Sequence, residues 1–314
     1  MTTNVLQTIL LFGLGLILIC LGGDKLVDAA VAIARKLGIP QIVVGATIVS
    51  LGTTLPEILV STTAAFQGSA AIAAGNAFGS VICNTALIAG LTQTIRPMDK
   101  VETRSVGWRA AFFFATIAIA DIVGLLTGEF NRVFGAILLL TFAVYAWLNI
   151  RWASGEGEEG ESGEEDGSLL KQFAILGVCT VMLYFGANLL VDNGIILAQL
   201  MGVPERVIAV TFIALGTSLP ELVTSVVSII KGYGNVGLGN IIGANLFNLL
   251  LVMGIPAAVA GIPLERSTLM VDVPVGFLVM AVLIVPILLR KKASRLQGIL
   301  LLAIYGAYCW FSFA

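Results

Sequence analysis

Histidine is absent from all 314 residues, and charged residues make up only 11% of the chain. Without histidine, no side chain has an unperturbed pKa near neutrality, and the commonest transition-metal ligand is missing. Cysteine is scarce as well. Cys20, Cys83, Cys179 and Cys309 are scattered through apolar stretches with no CxxC pair. Zinc and copper are therefore disfavoured, and the four thiols read as small buried hydrophobes. There is no nucleotide-binding loop of the P-loop type and no catalytic nucleophile constellation, so an enzyme is not expected. No Lys or Arg precedes the first apolar run. That run lacks the basic start of a signal peptide and reads as a retained first helix.

Apolar residues fill the space these absences leave. They account for 58% of the chain, with mean hydropathy +1.01, more than a soluble domain of this length buries. The composition predicts an all-α, polytopic membrane protein. A spanning helix needs about 20 mostly apolar residues. Ten segments qualify: 4–23, 41–67, 73–94, 106–127, 132–151, 169–195, 206–230, 237–260, 268–290 and 296–313. Between the fifth and sixth lies a Glu- and Gly-rich stretch that reads as a solvated linker. Its spacing matches no calcium-binding EF-hand loop. The expected organisation is a five-helix unit at 1–151, a linker at 152–168 and a second five-helix unit at 169–314.

The two units repeat at a constant offset of 164 residues. Gly52-Thr53-Thr54-Leu55-Pro56-Glu57 recurs as Gly216-Thr217-Ser218-Leu219-Pro220-Glu221. Val27-Asp28 matches Val191-Asp192, Gly38-Ile39-Pro40 matches Gly202-Val203-Pro204, and Gly75-Asn76 through Asn84 matches Gly239-Asn240 through Asn248. Five helices per unit is an odd number, so the second unit must enter the membrane inverted. Basic residues set the orientation. Fourteen of the 17 Lys and Arg fall on the face that holds Arg35, Arg96, Arg151, Lys231 and Lys291, and only Arg132, Arg206 and Arg266 on the other. By the positive-inside rule both termini lie outside and the linker is cytoplasmic.

A carboxylate at membrane depth costs about 3 kcal/mol on insertion scales and marks a functional site by default. Glu57 and Glu221 are two such groups at matched positions. Gly and Pro bracket each one, predicting a broken helix, and irregular backbone at that depth survives only where it is buried or lines a cavity. Thr53 and Glu57, four apart, share a helix face, as do Thr217 and Glu221. Asn76, Ser80 and Asn84 form an i, i+4, i+8 stripe, and Asn240, Ala244 and Asn248 repeat it with one hydroxyl lost. Gly75, Gly79, Gly239 and Gly243 would allow close helix approach. Asn76 and Asn240 could join helices without touching an ion, whereas Asn84 and Asn248 read as site residues. Carboxylates, amides, hydroxyls and freed carbonyls make an all-oxygen environment, the kind that a hard cation such as calcium takes. Asp28 and Asp192 could guard an ion entrance or pair locally, as Asp28 with Lys25. Asp121 has no repeat partner, and Trp147, Trp152 and Trp310 fit interfacial anchors.

Both halves resemble the alpha repeats of the calcium/cation antiporter superfamily, especially the sodium/calcium exchangers of prokaryotic type. The likeness is sharpest at residues 45–61 with 75–87 and 209–225 with 239–251. It implies a ten-helix fold in which helices 1 and 6 slide against the rest to alternate access. It also implies Glu57 and Glu221 as central ligands. Thr53, Thr54, Thr217, Ser218, Ser80, Asn84 and the backbone around Ser50 and Ala214 then form adjoining calcium and sodium sites, with Asn248 where many such exchangers carry Asp. With both glutamates ionised, one calcium ion leaves the core neutral, three sodium ions leave it at +1, and the empty site stands at −2. The implied activity is sodium/calcium antiport, with calcium leaving the cell across a prokaryotic plasma membrane. The partners implied are the two ions and the lipid bilayer, with no cofactor, nucleic acid or obligatory protein. Proton/calcium antiport on the same fold is the alternative. Gly79 and Gly243 stand where that subgroup usually has an acid, which favours sodium. A cation channel lined by Glu57 and Glu221 is the reading from a different class, and inverted repeats disfavour it.

Overall fold

A computed structural model describes residues 5–153, 168–202 and 216–313. Among the described residues the architecture is helical, apart from one short strand pair. Among the described residues seven helices are long and apolar enough to cross a membrane: Val5–Leu37, Ala71–Ile95, Thr103–Thr127, Arg132–Arg151, Leu169–Leu200, Gly234–Ala260 and Thr268–Arg290. The pair Gln41–Thr53 and Leu55–Phe66 meets at a 45° bend and makes an eighth span if taken as one; Leu219–Ile230 and Arg295–Phe311 are shorter apolar helices. Large apolar side chains such as Leu10, Ile17, Leu126, Leu140 and Leu289 point outward, from 55% to 80% exposed. That outward oiliness suits lipid as the surrounding solvent.

In chain order the elements are α1 (Val5–Leu37), α2 (Gln41–Val44), α3 (Ser50–Thr53), α4 (Leu55–Phe66), α5 (Ala71–Ile82), α6 (Gly90–Ile95), α7 (Thr103–Thr127) and α8 (Arg132–Ala153). The second half holds α9 (Leu169–Leu200), α10 (Leu219–Ile230), α11 (Gly234–Phe247), α12 (Gly254–Ala260), α13 (Val273–Arg290) and α14 (Arg295–Phe313). Strands β1 (Glu129–Phe130) and β2 (Ile262–Pro263) pair antiparallel and tie the α7–α8 turn to the α12–α13 turn. Among the described residues wider π-helical turns lie at Gly45–Val49, Cys83–Ala89, Asn248–Val252 and Thr268–Asp272.

Helix α1 runs 33 residues, well past its expected end at 23. Gly22-Gly23-Asp24-Lys25 reads as a stop in sequence, yet both glycines are packing sites. A Cβ on Gly22 would lie 3.2 Å from Met182 Cβ, and one on Gly23 would lie 2.7 Å from Val223 Cγ1. The charges that follow are met from the other half. Lys231 Nζ sits 2.6 Å from Asp24 Oδ1, 2.7 Å from Asp28 Oδ1 and 3.0 Å from the Asp24 carbonyl. Burial opposes the Lys231 charge, but the hydrogen bonds to Asp24 and Asp28 outweigh it and raise its pKa. The ammonium therefore stays charged at any ordinary pH. Lys25, the expected partner of Asp28, lies farther off at 3.8 Å. This clasp joins α1 to the end of α10 on the face where Arg96 Nη1 reaches the Ile229 and Ile230 carbonyls.

Two apolar clusters hold the bundle. One gathers Phe78, Phe113, Phe247 and Met280 from α5, α7, α11 and α13. The other joins Leu26 and Ile33 of α1 to Leu183 of α9. The α1–α9 pair is stitched by glycine: a Cβ on Gly15 would sit 2.8 Å from the Gly186 carbonyl. The α11 glycines make a second close approach. Gly239 abuts the Ile42 carbonyl, and Gly243 abuts Ser50 Oγ and Ala46. No described residue comes within 4 Å of a Cβ at Gly75 or Gly79, and residues 206–214, which match 42–50 in the repeat, lie outside the described residues. Gly243→Ala should therefore lower stability by about 1–3 kcal/mol, the usual range for overpacking. The check is a lower thermal midpoint in detergent. Gly306→Ala in α14, with open space around it, should match or slightly exceed the unaltered protein.

Of the four cysteines, Cys83 and Cys179 are buried, Cys309 is half-buried and Cys20 is exposed. The expectation of burial thus fails at Cys20, which lies on the outward side of α1. Trp147 and Trp310 are exposed, as interfacial anchors require. The side chain of Trp152, the Arg206 expectation and most of the linker (154–167) fall outside the described residues.

Candidate functional site

Each repeated phrase folds as a helix start. Pro56 occupies the first turn of α4 and Pro220 the first turn of α10. There its missing N–H is one that a helix leaves unpaired anyway. The prolines therefore begin new helices after a break at Thr54 and Ser218, rather than kinking continuous ones. Glu57 and Glu221 fall in those first turns, where the positive end of the helix dipole favours a carboxylate. Both glutamates are fully buried, at 0% exposure.

The two halves interlock around these acids. Thr54 Oγ1 donates to Glu221 Oε1 at 3.2 Å, and Thr53 also lies beside Glu221. Reciprocally, Thr217 and Ser218 lie beside Glu57, within reach of its carboxylate but outside hydrogen-bond geometry. The π-turn that carries Asn84 packs against α10, the helix of Glu221, and the π-turn that begins at Asn248 packs against α4, the helix of Glu57. Such turns concentrate at functional sites because they push one residue out of helical register. Asn84 and Asn248 are both at 0% exposure, and Ser80 is buried.

Many polar atoms in this interior have no protein partner. They include both oxygens of Glu57, Oε2 of Glu221, both amide atoms of Asn84 and Asn248, and the Ser218 and Thr224 hydroxyls. A native protein satisfies almost all its buried polar groups, and an unpaired buried carboxylate costs several kcal/mol. A cation among these oxygens would remove the penalty. Among the described residues no group of three or more His, Cys, Asp or Glu side chains is arranged to hold a metal ion. The charge is thus carried by two carboxylates in a shell of neutral oxygens, a hard-cation donor set.

The remaining sequence-selected residues divide. Asn76 is structural: its amide donates to Ser61 Oγ at 2.8 Å and to the Glu57 carbonyl at 3.3 Å, tying α5 to α4. The Ser50 hydroxyl has the Gly45 and Asn240 carbonyls within reach as acceptors, at 2.7 and 3.0 Å, and its own carbonyl accepts the Thr54 N–H at 2.9 Å. The Thr53 hydroxyl also lies 3.4 Å from that carbonyl. Ala214 lies outside the described residues. Asp192 is exposed. Asp121 lines a cavity of about 340 Å³ between α7 and α13, with Ile117, Pro274 and Phe277.

Sequence reasoning missed three supports. The Tyr145 hydroxyl donates to the Ala46 carbonyl at 3.2 Å, in the π-turn ahead of α3. Asn245 donates to Thr85 Oγ1 at 2.6 Å across the halves, beside Asn84. Cys83 lies near Ser218 and both glutamates. None of these residues repeats at the 164-residue offset, so the internal comparison passes over them.

Comparison with known proteins bears on this geometry. The family model described as "Sodium/calcium exchanger protein" matches residues 7–151 and again 171–314. The chain is 33% identical to the inner membrane protein YrbG of Escherichia coli, over 98% of this chain and 96% of that one. It is 29% identical to the sodium/calcium exchanger MaX1 of Methanosarcina acetivorans, over 94% and 95% of the two chains. A solved structure of the sodium-calcium exchanger NCX_Mj, soaked with sodium and strontium, superposes with TM-score 0.83 at 31% identity, covering 96% of this chain and 98% of that one.

Proposed function

Because the chain belongs to the sodium/calcium exchanger protein family, we propose that it is a secondary antiporter exchanging sodium for calcium at a midplane site between two inverted five-helix repeats. The observation that carries this reading is the pair of fully buried glutamates, one from each half, with three of their four carboxylate oxygens unpartnered among neutral oxygens. Two separate matches of one family model, split at the linker, support the duplication and the division into 1–151, 152–168 and 169–314. Taking the bent pair as one span and adding the short helices α10 and α14 supports the reading of ten spans.

The packing supports alternating access. Each carboxylate is sealed from water in this conformation, so ions reach it only when helices move. The α1–α9 pair has its own apolar cluster and glycine seam, which suits a unit sliding against the remainder. Glu57, Glu221, Asn84, Asn248, Thr53, Thr54, Thr217, Ser218, Ser80 and the Ser50 and Ala214 backbone form the ion site. Both termini lie outside, the linker is cytoplasmic, and calcium is driven outward by sodium influx. NCX_Mj structures soaked with sodium and with strontium or calcium support the two cargo ions.

The test uses vesicles of the purified chain with calcium-45 outside. Uptake is expected when the interior holds sodium and the exterior does not. Uptake that follows a pH gradient instead would establish the proton-coupled alternative. Uptake with neither gradient, at channel-like rates, would refute antiport.

A further inference from the structure

The repeats match in sequence at Asn76 and Asn240, yet the two amides make different bonds. Asn76 stays within its own half, on Ser61 Oγ and the Glu57 carbonyl. Its mate Asn240 crosses to the other half: Oδ1 accepts from Thr53 Oγ1 at 3.2 Å. The local partner that symmetry offers, Ser225, is left with its hydroxyl unpaired, as is Asn240 Nδ2. Asn240, Thr53 and Ser225 are all at 0% exposure, so water does not compensate.

The crossing bond fixes the polarity of one hydroxyl. A threonine hydroxyl has one hydrogen and two lone pairs. Asn240 Oδ1 at 3.2 Å is the nearer acceptor and the Ser50 carbonyl at 3.4 Å the weaker competitor. With its hydrogen on Asn240, Thr53 has lone pairs free for the Glu221 side, where it lies beside the carboxylate. Asn76, the mate of Asn240, instead spends its Nδ2 within its own half, on Ser61 Oγ and the Glu57 carbonyl, and the bonds described for it do not include Thr217. We propose that Asn240 is a positioning residue that orients the Thr53 hydroxyl as a cation ligand, making the two halves of the ion site unequal.

This inference rests on the antiport reading, and the charge count gives it an ion preference. Two carboxylates neutralise one calcium ion between them. Three sodium ions exceed that charge, so at least one relies chiefly on neutral oxygens such as the Thr53 hydroxyl. Sodium should therefore feel the loss of Asn240 more than calcium does.

The experiment measures sodium and calcium half-saturation constants of the full chain in proteoliposomes. Asn240→Ala should raise the sodium constant about 5- to 10-fold, the scale of one enclosed hydrogen bond, with calcium changed less than about 2-fold. The effect should vanish in a Thr53→Val background and persist in a Thr217→Val background, the mark of direct coupling. Asn76→Ala should show neither the sodium bias nor coupling to Thr53. If Asn240→Ala does not fold, Asn240→Ser enters the same cycle with the same expectation. Shifts that add between Asn240 and Thr53, or that are equal for the two ions, would overturn the assignment while leaving antiport intact. Absence of sodium-dependent calcium uptake by the unaltered chain would sink both.

Discussion

Glu57→Gln is expected to abolish calcium uptake, and Glu221→Gln to do the same. The exchange is nearly isosteric, so packing is retained; Glu221→Gln even keeps an acceptor for the Thr54 hydroxyl. What changes is charge. Both acids are fully buried, and no third acid gathers with them among the described residues. A calcium ion between one carboxylate and one amide would leave +1 uncompensated in the interior. Removing one partner of a buried charge pair costs about 3–5 kcal/mol, which at about 1.4 kcal/mol per decade is a loss of at least 100-fold. Calcium-45 uptake into sodium-loaded proteoliposomes, normalised to protein that elutes as a single species, measures it. Full activity in either variant would show that the cation binds elsewhere.

The same pair shows how far the sequence alone reaches. The repeated phrase and its offset locate both acids, both helix breaks and the matched asparagines, because each leaves a mark in residue type. Equivalence is not contact, however. The offset says that Thr53 corresponds to Thr217, but not that Thr53 and Thr54 lie beside Glu221 while Thr217 and Ser218 lie beside Glu57. That crossing depends on how the halves dock. The π-turns at Asn84 and Asn248 are likewise silent in sequence, since an extra residue in a helical turn requires no special side chain. Helix α1 was legible only to residue 23. Its last fourteen residues carry charges whose partner, Lys231, lies more than 200 positions away. The first-half mate of Lys231 is Gln67, so the repeat gave no warning of the clasp.

Membrane voltage should shift the exchange equilibrium strongly. With both glutamates ionised, the empty site stands at −2, calcium brings it to zero and three sodium ions bring it to +1. Asn84 and Asn248 are neutral and contribute no further charge. On that count the loaded forms would cross an apolar barrier far more readily than the empty one, which would suppress slippage. Three sodium ions exchanged for one calcium ion move one net charge per cycle. One charge across 100 mV is worth about 2.3 kcal/mol, or roughly a 50-fold change in the calcium gradient that a fixed sodium gradient sustains. Clamping proteoliposomes with potassium and valinomycin at zero and at 100 mV, then reading the steady-state calcium-45 ratio, measures this shift directly. A ratio that ignores voltage would mean two sodium ions per calcium. Every loaded form would then be neutral, and the charge of the two glutamates alone would set the stoichiometry.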